Sequence, residues 1–272
     1  MFPFKTSLNT STLIPFTLDV KQQVQIAAEA GYQGIELWMK DILAYLETGG
    51  TTAEIKAIVT ESGIPIVDVI AFYPWGDAGE QVRQQALAQA ERELPLLAEL
   101  GCQAIAAPPA GNVEKVSLEA MAGYFAQFAS LARTIGIEPY IEFWGKAKPL
   151  SRLSDGLFIA MECGLPGVKL LLDAIHMYIG GSSLSSLTYL KGDHIGIVHV
   201  DDWLATLARE DTEERVFPGE GIAPTHELAY LLHQAGYDGY LSLELFIEDY
   251  ENETALEVAK HGLESIKQAY SL

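Results

Sequence analysis

Cysteine is nearly missing from this chain. Cys102 and Cys163 are the only two in 272 residues, and neither has a second cysteine or a histidine at metal-site spacing. That excludes a disulfide framework, which a chain of this length does not need in order to bury a core. Both read as small buried hydrophobes. Basic residues are scarce: 17 Lys and Arg stand against 37 Asp and Glu, a formal charge of −20. Nucleic-acid affinity comes largely from Lys and Arg on phosphate, and an anionic membrane surface asks for the same groups, so neither partner is expected. No stretch approaches the roughly 18 uninterrupted apolar residues of a membrane span. The first residues, MFPFKTSLNTSTLIPF, lack a basic segment followed by an apolar run, and no signal peptide is expected. The expectation is a soluble protein of a reducing cytoplasm. Linkers and low-complexity segments are missing too. So is a Gly-x-Gly-x-x-Gly after the first strand, which sets aside a dinucleotide-binding Rossmann unit.

What the sequence does have is a regular alternation. Short runs with the composition of buried strands fall at 4–9, 34–38, 64–72, 104–107, 138–143, 168–173, 195–199 and 241–245. Between them lie amphipathic stretches with helical spacing, at 19–30, 79–100, 118–135, 225–235 and 253–269. Six glycines, Gly31, Gly63, Gly101, Gly136, Gly164 and Gly236, each stand just before the next strand, where a helix cap needs the left-handed conformation. Repeated β-α units of this kind predict a parallel sheet. About eight of them without a break predict closure into a single (β/α)8 TIM barrel that occupies residues 1–272 as one domain.

Barrel chemistry sits where the strands end. Glu142 ends YIEF, Asp173 ends KLLLD, His199 ends GIVH, Glu244 lies near the end of LSLEL, and Glu36 ends GIELW. A charge in the last third of a buried strand is costly unless it is paired or bound to metal. Five such residues at matching places are not what packing alone produces. Three carboxylates and an imidazole, Glu142, Asp173, His199 and Glu244, form a mostly hard-oxygen set. That set suits one divalent metal, Mn²⁺ or Mg²⁺ first, with Co²⁺ or Zn²⁺ also compatible. It leaves coordination positions for water or for two vicinal oxygens of a sugar. Glu36 is grouped with the substrate-binding candidates, with a hydrogen-bonding role behind the ligands as the favoured reading. Trp38, Trp75, Trp144, Trp203 and Phe246 follow strands, where aromatic rings suit the apolar faces of a sugar and ordinary loop packing equally. Lys146, in the long loop after the fifth strand, could hold a carboxylate, a phosphate or a keto oxygen. Arg215 has the acidic run DTEE before it as an alternative partner. His194 begins the seventh strand, at the end of the barrel that serves stability.

With SLNTST, GYQGIELW, IEFWG, LLLDAIHMY, VHVDD, RVFPGEG and LSLELF on the page, the chain resembles the xylose isomerase-like TIM barrel superfamily over nearly its whole length. That superfamily contains sugar isomerases, ketose 3-epimerases, inosose dehydratases, 3-dehydroshikimate dehydratases and endonuclease IV. The resemblance implies that Glu142, Asp173, His199 and Glu244 bind the metal. It implies that His176, from the DxxH pattern, and Arg215, before PGEG, face substrate oxygens. It further implies a sugar isomerase or epimerase that works through an enediolate on a ketose-like substrate or sugar phosphate, with Glu142 and Glu244 as the acid/base pair. The same site would serve a dehydratase of an inosose or dehydroshikimate-type ring, or a sugar-binding barrel without turnover. The partner is a small sugar or polyol, and the oligomeric state, a homo-oligomer included, stays open. The chain departs from endonuclease IV where zinc-binding histidines would stand: its segments read AFYPWG, AAPPAG and RVFPGEG. It departs from ketose 3-epimerases in EFWGKAKP, where Lys146 and Lys148 stand in place of a second Glu.

Overall fold

A computed structural model describes residues 1–205 and 214–272. Of the acidic run offered as a partner for Arg215, residues 211–213 lie outside the described residues. Eight parallel strands form one sheet: β1 (Lys5–Asn9), β2 (Gly34–Trp38), β3 (Ile66–Ile70), β4 (Ala104–Ala107), β5 (Glu138–Ile141), β6 (Lys169–Asp173), β7 (Ile195–Val200) and β8 (Tyr240–Leu243). Their hydrogen-bonded order runs β3-β2-β1-β8-β7-β6-β5-β4. The first and last of that series, β3 and β4, lie side by side and bring the sheet round into a barrel. No ladder hydrogen bonds join those two among the described residues.

The helices surround the sheet. They are α1 (Val20–Ala30), α2 (Met39–Glu47), α3 (Thr52–Ser62), α4 (Glu80–Leu100), α5 (Leu118–Ile135), α6 (Leu153–Glu162), α7 (Ala174–Gly180), α8 (Thr225–Gln234) and α9 (Ala255–Ala269). Their starts follow ordinary capping chemistry. Asp19, Thr51 and Thr254 each accept from the third helical N–H while a Gln or Glu side chain returns the bond. All six glycines marked in the sequence have positive φ, for example 97° at Gly31 and 93° at Gly136. The apolar faces of α1, α5 and α9 close over the outside of the strands. Leu8, Ile35, Val69, Ile105, Ile141, Val198 and Leu243 point outward into that layer and are fully shielded.

Alternate residues point into the barrel. One inward layer is apolar: Trp38, Ile70, Ala106, Leu171 and Ile197 pack together, with Val67, Tyr140 and Tyr240 half-buried against them. The two tyrosines need space, and glycines supply it. A Cβ on Gly34 would lie 2.5 Å from Val67 Cγ1 and 2.9 Å from the Tyr240 ring. One on Gly196 would lie 2.5 Å from the Tyr140 ring. These rings therefore floor the barrel at the N-terminal ends of the strands. The other inward residues are polar, and they gather toward the opposite end. Ser7, Asn9, Glu36, Asp68, Asp173, His199 and Ser242 are all shielded from solvent. No helix among the described residues is long and apolar enough to cross a membrane. Both cysteines are buried and free.

Candidate active site

The site begins as a row of strand ends. Asp173 and His199 are register partners on β6 and β7. Glu142 and Glu244 each sit one residue past a strand, yet their amides still reach the neighbouring strand, at Ala107 O and Val200 O (3.3 Å each). The end of β8 is stitched to the loop after β1 through Thr12, whose hydroxyl donates to Leu243 O (3.0 Å) and accepts from Leu245 N (3.1 Å). Asp173 divides its two oxygens. Oδ1 accepts from the amides of Ile175 (2.9 Å) and His176 (3.2 Å), capping α7. Oδ2 turns inward, toward Arg215 Nη2 (3.2 Å) and His199 Nδ1 (3.8 Å).

His199 is held from behind. Its Nε2 donates to Glu36 Oε1 at 2.9 Å, and Glu36 Oε2 accepts from Asn9 Nδ2 (2.8 Å) and Ser242 Oγ (2.7 Å). With Nε2 carrying the proton, the Nδ1 lone pair faces the carboxylates of Glu244 (3.2 Å) and Asp173. Nδ1 makes no well-aligned hydrogen bond. A buried lone pair against two carboxylates is unfavourable, and either a proton on Nδ1 or a metal cation between the groups relieves it. In the metal-free protein the His199 pKa is raised well above its ordinary value, so a proton fills that place and a divalent ion would displace it. Burial opposes the rise, and the charges of Glu244 and Glu36 override it. One ligand atom each from Asp173, His199 and Glu244 lie within 4.8 Å of one another, as do atoms of Glu142, Asp173 and His176. Both the distances and the donor types fit a divalent ion. Glu36 behind His199 is the carboxylate–histidine arrangement that fixes a ligand's tautomer.

The remaining charges answer each other. Arg215, 7% exposed, reaches Glu244 Oε2, Asp173 Oδ2 and Asp201 Oδ2 and lies 4.8 Å from the Phe246 ring centre. Burial works against the carboxylates of Asp173 and Glu244, but Arg215 and His199 hold both pKa values down, with His176 adding at Asp173. Glu142 goes the other way: burial, with the charges of Glu244 and Asp173, pushes it up to about 8. It accepts from Trp144 Nε1 at 2.9 Å. His176, low in pKa chiefly through burial, lies 3.9 Å from Asp173 Oδ2.

Above these groups opens a cavity of about 550 Å³, within the range of small-molecule sites. Its walls include Glu142, His176, Lys146, Trp144, Arg215 and Glu244. An aromatic rim completes it. Trp38 meets Phe72 and Phe246 edge-on at 5.3 and 6.0 Å, and Phe72 meets Trp144 at 5.8 Å. Phe72 and Phe246 stay partly exposed, at 47% and 41%.

The strand-end residues chosen from sequence thus meet in one place, and His176, Arg215, Lys146 and Trp144 face the same space. Glu36 does not: it is sealed beneath these groups, makes no part of the cavity wall, and accepts from His199 Nε2. Trp75 and Trp203 leave the list of rim aromatics, since Trp75 packs edge-on against Phe125 at 5.5 Å and Trp203 stacks on Tyr178 at 4.8 Å. His194 lies at the opposite end, just before β7. Sequence reasoning missed Asn9, which bonds Glu36, Glu244 and Trp38 at once, along with Ser242, Asp201, Asp202 and Phe72. It also missed Asp68, whose pKa burial and the Glu36 charge push well above the carboxylate range. The available signal was inward parity on β1, β3 and β8.

Comparison with known proteins agrees with this arrangement. The profile of the family described as Xylose isomerase-like TIM barrel matches residues 24–269. The inosose isomerase of Bacillus velezensis is 23% identical over 262 residues, covering 93% of this chain and 92% of its own. The 3-dehydro-D-guloside 4-epimerase of Escherichia coli K12 is 26% identical over 246 residues, covering 84% of this chain and 88% of its own. Among solved structures, the IOLI protein with a binding zinc atom superposes with a TM-score of 0.88 at 21% identity, over 98% of both chains. At that identity the likeness speaks to the fold.

Proposed function

The chain belongs to the xylose isomerase-like TIM barrel family, and from that premise we propose that it is a divalent-metal-dependent sugar isomerase or epimerase acting on a ketose-like substrate or sugar phosphate. The observation that carries this reading is the buried His199 Nδ1 set among Asp173 and Glu244, with Glu142 beside Asp173, under an aromatic-rimmed cavity. Glu142, Asp173, His199 and Glu244 would hold the metal, Mn²⁺ or Mg²⁺ by donor hardness. Such an ion, when bound, would polarise the substrate carbonyl and steady the negative charge of the enediolate.

The protein's own groups do the rest. Glu142 and Glu244 come from β5 and β8, with two strands between them. They therefore reach a substrate in the cavity from different sides. One removes the proton alpha to the carbonyl, and the other returns a proton. Return to the opposite face of the same carbon gives an epimer; return to the neighbouring carbon, with a proton moved from the adjacent hydroxyl to the former carbonyl oxygen, gives the aldose–ketose isomer. Arg215 and His176 bind substrate oxygens, and Lys146 meets an oxygen or anionic group at the outer wall. Trp38, Phe72, Trp144 and Phe246 offer flat faces to the C–H side of a ring. The named activities of these two relatives, an inosose isomerase and a 3-dehydro-D-guloside 4-epimerase, support the same class. We place the enzyme in the cytoplasm, where its free buried cysteines suit a reducing milieu, with residues 1–272 as one barrel domain.

Metal analysis of the purified protein, followed by an NMR screen of ketoses, sugar phosphates and inososes in D₂O, tests the proposal. An isomerase or epimerase gives a reversible equilibrium with deuterium at one carbon. Irreversible formation of an absorbing enone would assign a dehydratase instead. Affinity without exchange would assign a binding barrel. A protein that takes up no divalent ion on titration overturns the site altogether.

A further inference from the structure

Asp201 and Asp202 are adjacent, both buried, and differently employed. Asp201 Oδ2 lies 3.1 Å from Arg215 Nη1. Asp202 does not touch the guanidinium; it holds backbone. Its Oδ1 accepts from the amides of Trp203 (2.8 Å) and Ala223 (2.7 Å), and its Oδ2 from those of Gly219 (3.0 Å) and Gly221 (3.0 Å). Its own amide and carbonyl pair with those of Val216, at 3.0 and 2.8 Å. One carboxylate therefore ties residue 203 to residues 219, 221 and 223, and one residue pair anchors Val216, the immediate neighbour of Arg215. The turn is fitted to this anchor: a Cβ on Gly221 would lie 2.3 Å from both Asp202 Oδ1 and Trp203 O.

We infer that Asp202 is the positioning residue for Arg215. A carboxylate that takes four N–H bonds is a strong and directional anchor. It fixes the point from which the Arg215 side chain enters the barrel, and so decides whether the guanidinium reaches Asp173 Oδ2 and Glu244 Oε2. Those same oxygens face His199 Nδ1. Arg215 thus lends its charge to the ligand oxygens and competes with a divalent cation for them. The functional meaning of this placement rests on the reading of Arg215 as the group that meets substrate oxygens.

The test is a double-mutant cycle read by Mn²⁺ titration calorimetry, with Mn²⁺ as the probe and no substrate present. Arg215→Ala removes the competing cation, and Mn²⁺ should bind on the order of tenfold more tightly. Asp202→Asn keeps the side-chain shape but sets an amide against two of the four N–H groups. It should release Arg215 and tighten Mn²⁺ binding severalfold in the wild-type background, with no further change in the Arg215→Ala background. Melting temperature should fall in both backgrounds, because the loop anchor is lost either way. Gly221→Ala, which forces the turn open without altering any charge, should repeat the pattern. An Asp202→Asn protein that does not tighten Mn²⁺, or whose shift persists without Arg215, overturns the inference and leaves the proposed function standing. Wild-type protein that binds no Mn²⁺ overturns the metal reading and this inference together.

Discussion

Replacing Glu36 by Gln should loosen the metal without changing a single ligand. The carboxylate of Glu36 is shielded from solvent and has three donors: Asn9 Nδ2 and Ser242 Oγ on Oε2, and His199 Nε2 on Oε1. Glutamine has one acceptor oxygen. Two donors compete for it against one, so the oxygen stays with Asn9 and Ser242, and the new NH₂ faces His199. Donor then meets donor at about the old 2.9 Å separation. The imidazole escapes by moving its proton from Nε2 to Nδ1, and Nδ1 is the atom aimed at Glu244 and Asp173. The lone pair is no longer presented to the metal. Loss of such an outer partner ordinarily costs about 10–100-fold in metal affinity, or about 1.4–2.8 kcal/mol. The imperfect buried bond costs stability as well, about 1–3 kcal/mol. Calorimetric titration with Mn²⁺ measures the first effect and urea unfolding of the metal-free protein the second. Wild-type Mn²⁺ affinity in a folded Glu36→Gln protein would refute the reasoning, since it would mean that the tautomer of His199 is set elsewhere.

Three further outcomes are expected. Glu142→Gln and Glu244→Gln should each lower turnover by roughly 10²–10⁴-fold on a keto-sugar identified by deuterium uptake; full turnover in either removes that residue from the acid/base pair. Glu142, pushed up to about 8 by burial and its carboxylate neighbours, keeps its proton at neutral pH in the metal-free protein. An incoming cation must expel that proton, and with it the one on His199, whose pKa is also raised, so Mn²⁺ affinity should rise with pH through neutrality and keep rising past about 8; calorimetry at neutral pH in buffers of different protonation heat should show proton release, and its absence contradicts the assignment. Gly196→Ala should destabilise the barrel by about 1–3 kcal/mol through the collision with Tyr140, and an unchanged urea midpoint would show that the tyrosine has room to move.

Much of this was readable before any coordinates. Strand ends betray themselves because Glu142, Asp173, His199 and Glu244 carry charge where the preceding residues demand burial. The cap glycines did the same for the helix ends. What escaped was written in weaker signals. The helix α2 begins directly after Trp38 with no punctuating loop, and α7 is barely two turns that start from Asp173 itself. Asn9 and Ser242 are uncharged, so nothing in composition marks them, and only their inward parity on β1 and β8 betrays a role. Asp202 looks like any loop acid until the chain folds back about twenty residues later to lay three amides on it beside that of Trp203. Glu36 showed its position but not its partner: a strand-end carboxylate reads the same whether it faces the cavity or backs a histidine, as it does here.

The tyrosine floor bears on traffic. Tyr140 and Tyr240, seated over Gly196 and Gly34, stop the barrel at its lower end, and the aromatic rim stands at the upper. Among the described residues, a molecule that enters past Phe72 and Phe246 meets only the apolar layer and the two tyrosine rings on the far side. Substrate and product share one doorway and one set of gripping side chains, and for a reversible reaction the two are near-equals in shape. Each occupies the seat the other needs, so accumulated product should slow the forward reaction by simple competition, and the direction of net flow is left to whichever neighbouring reaction empties the doorway first.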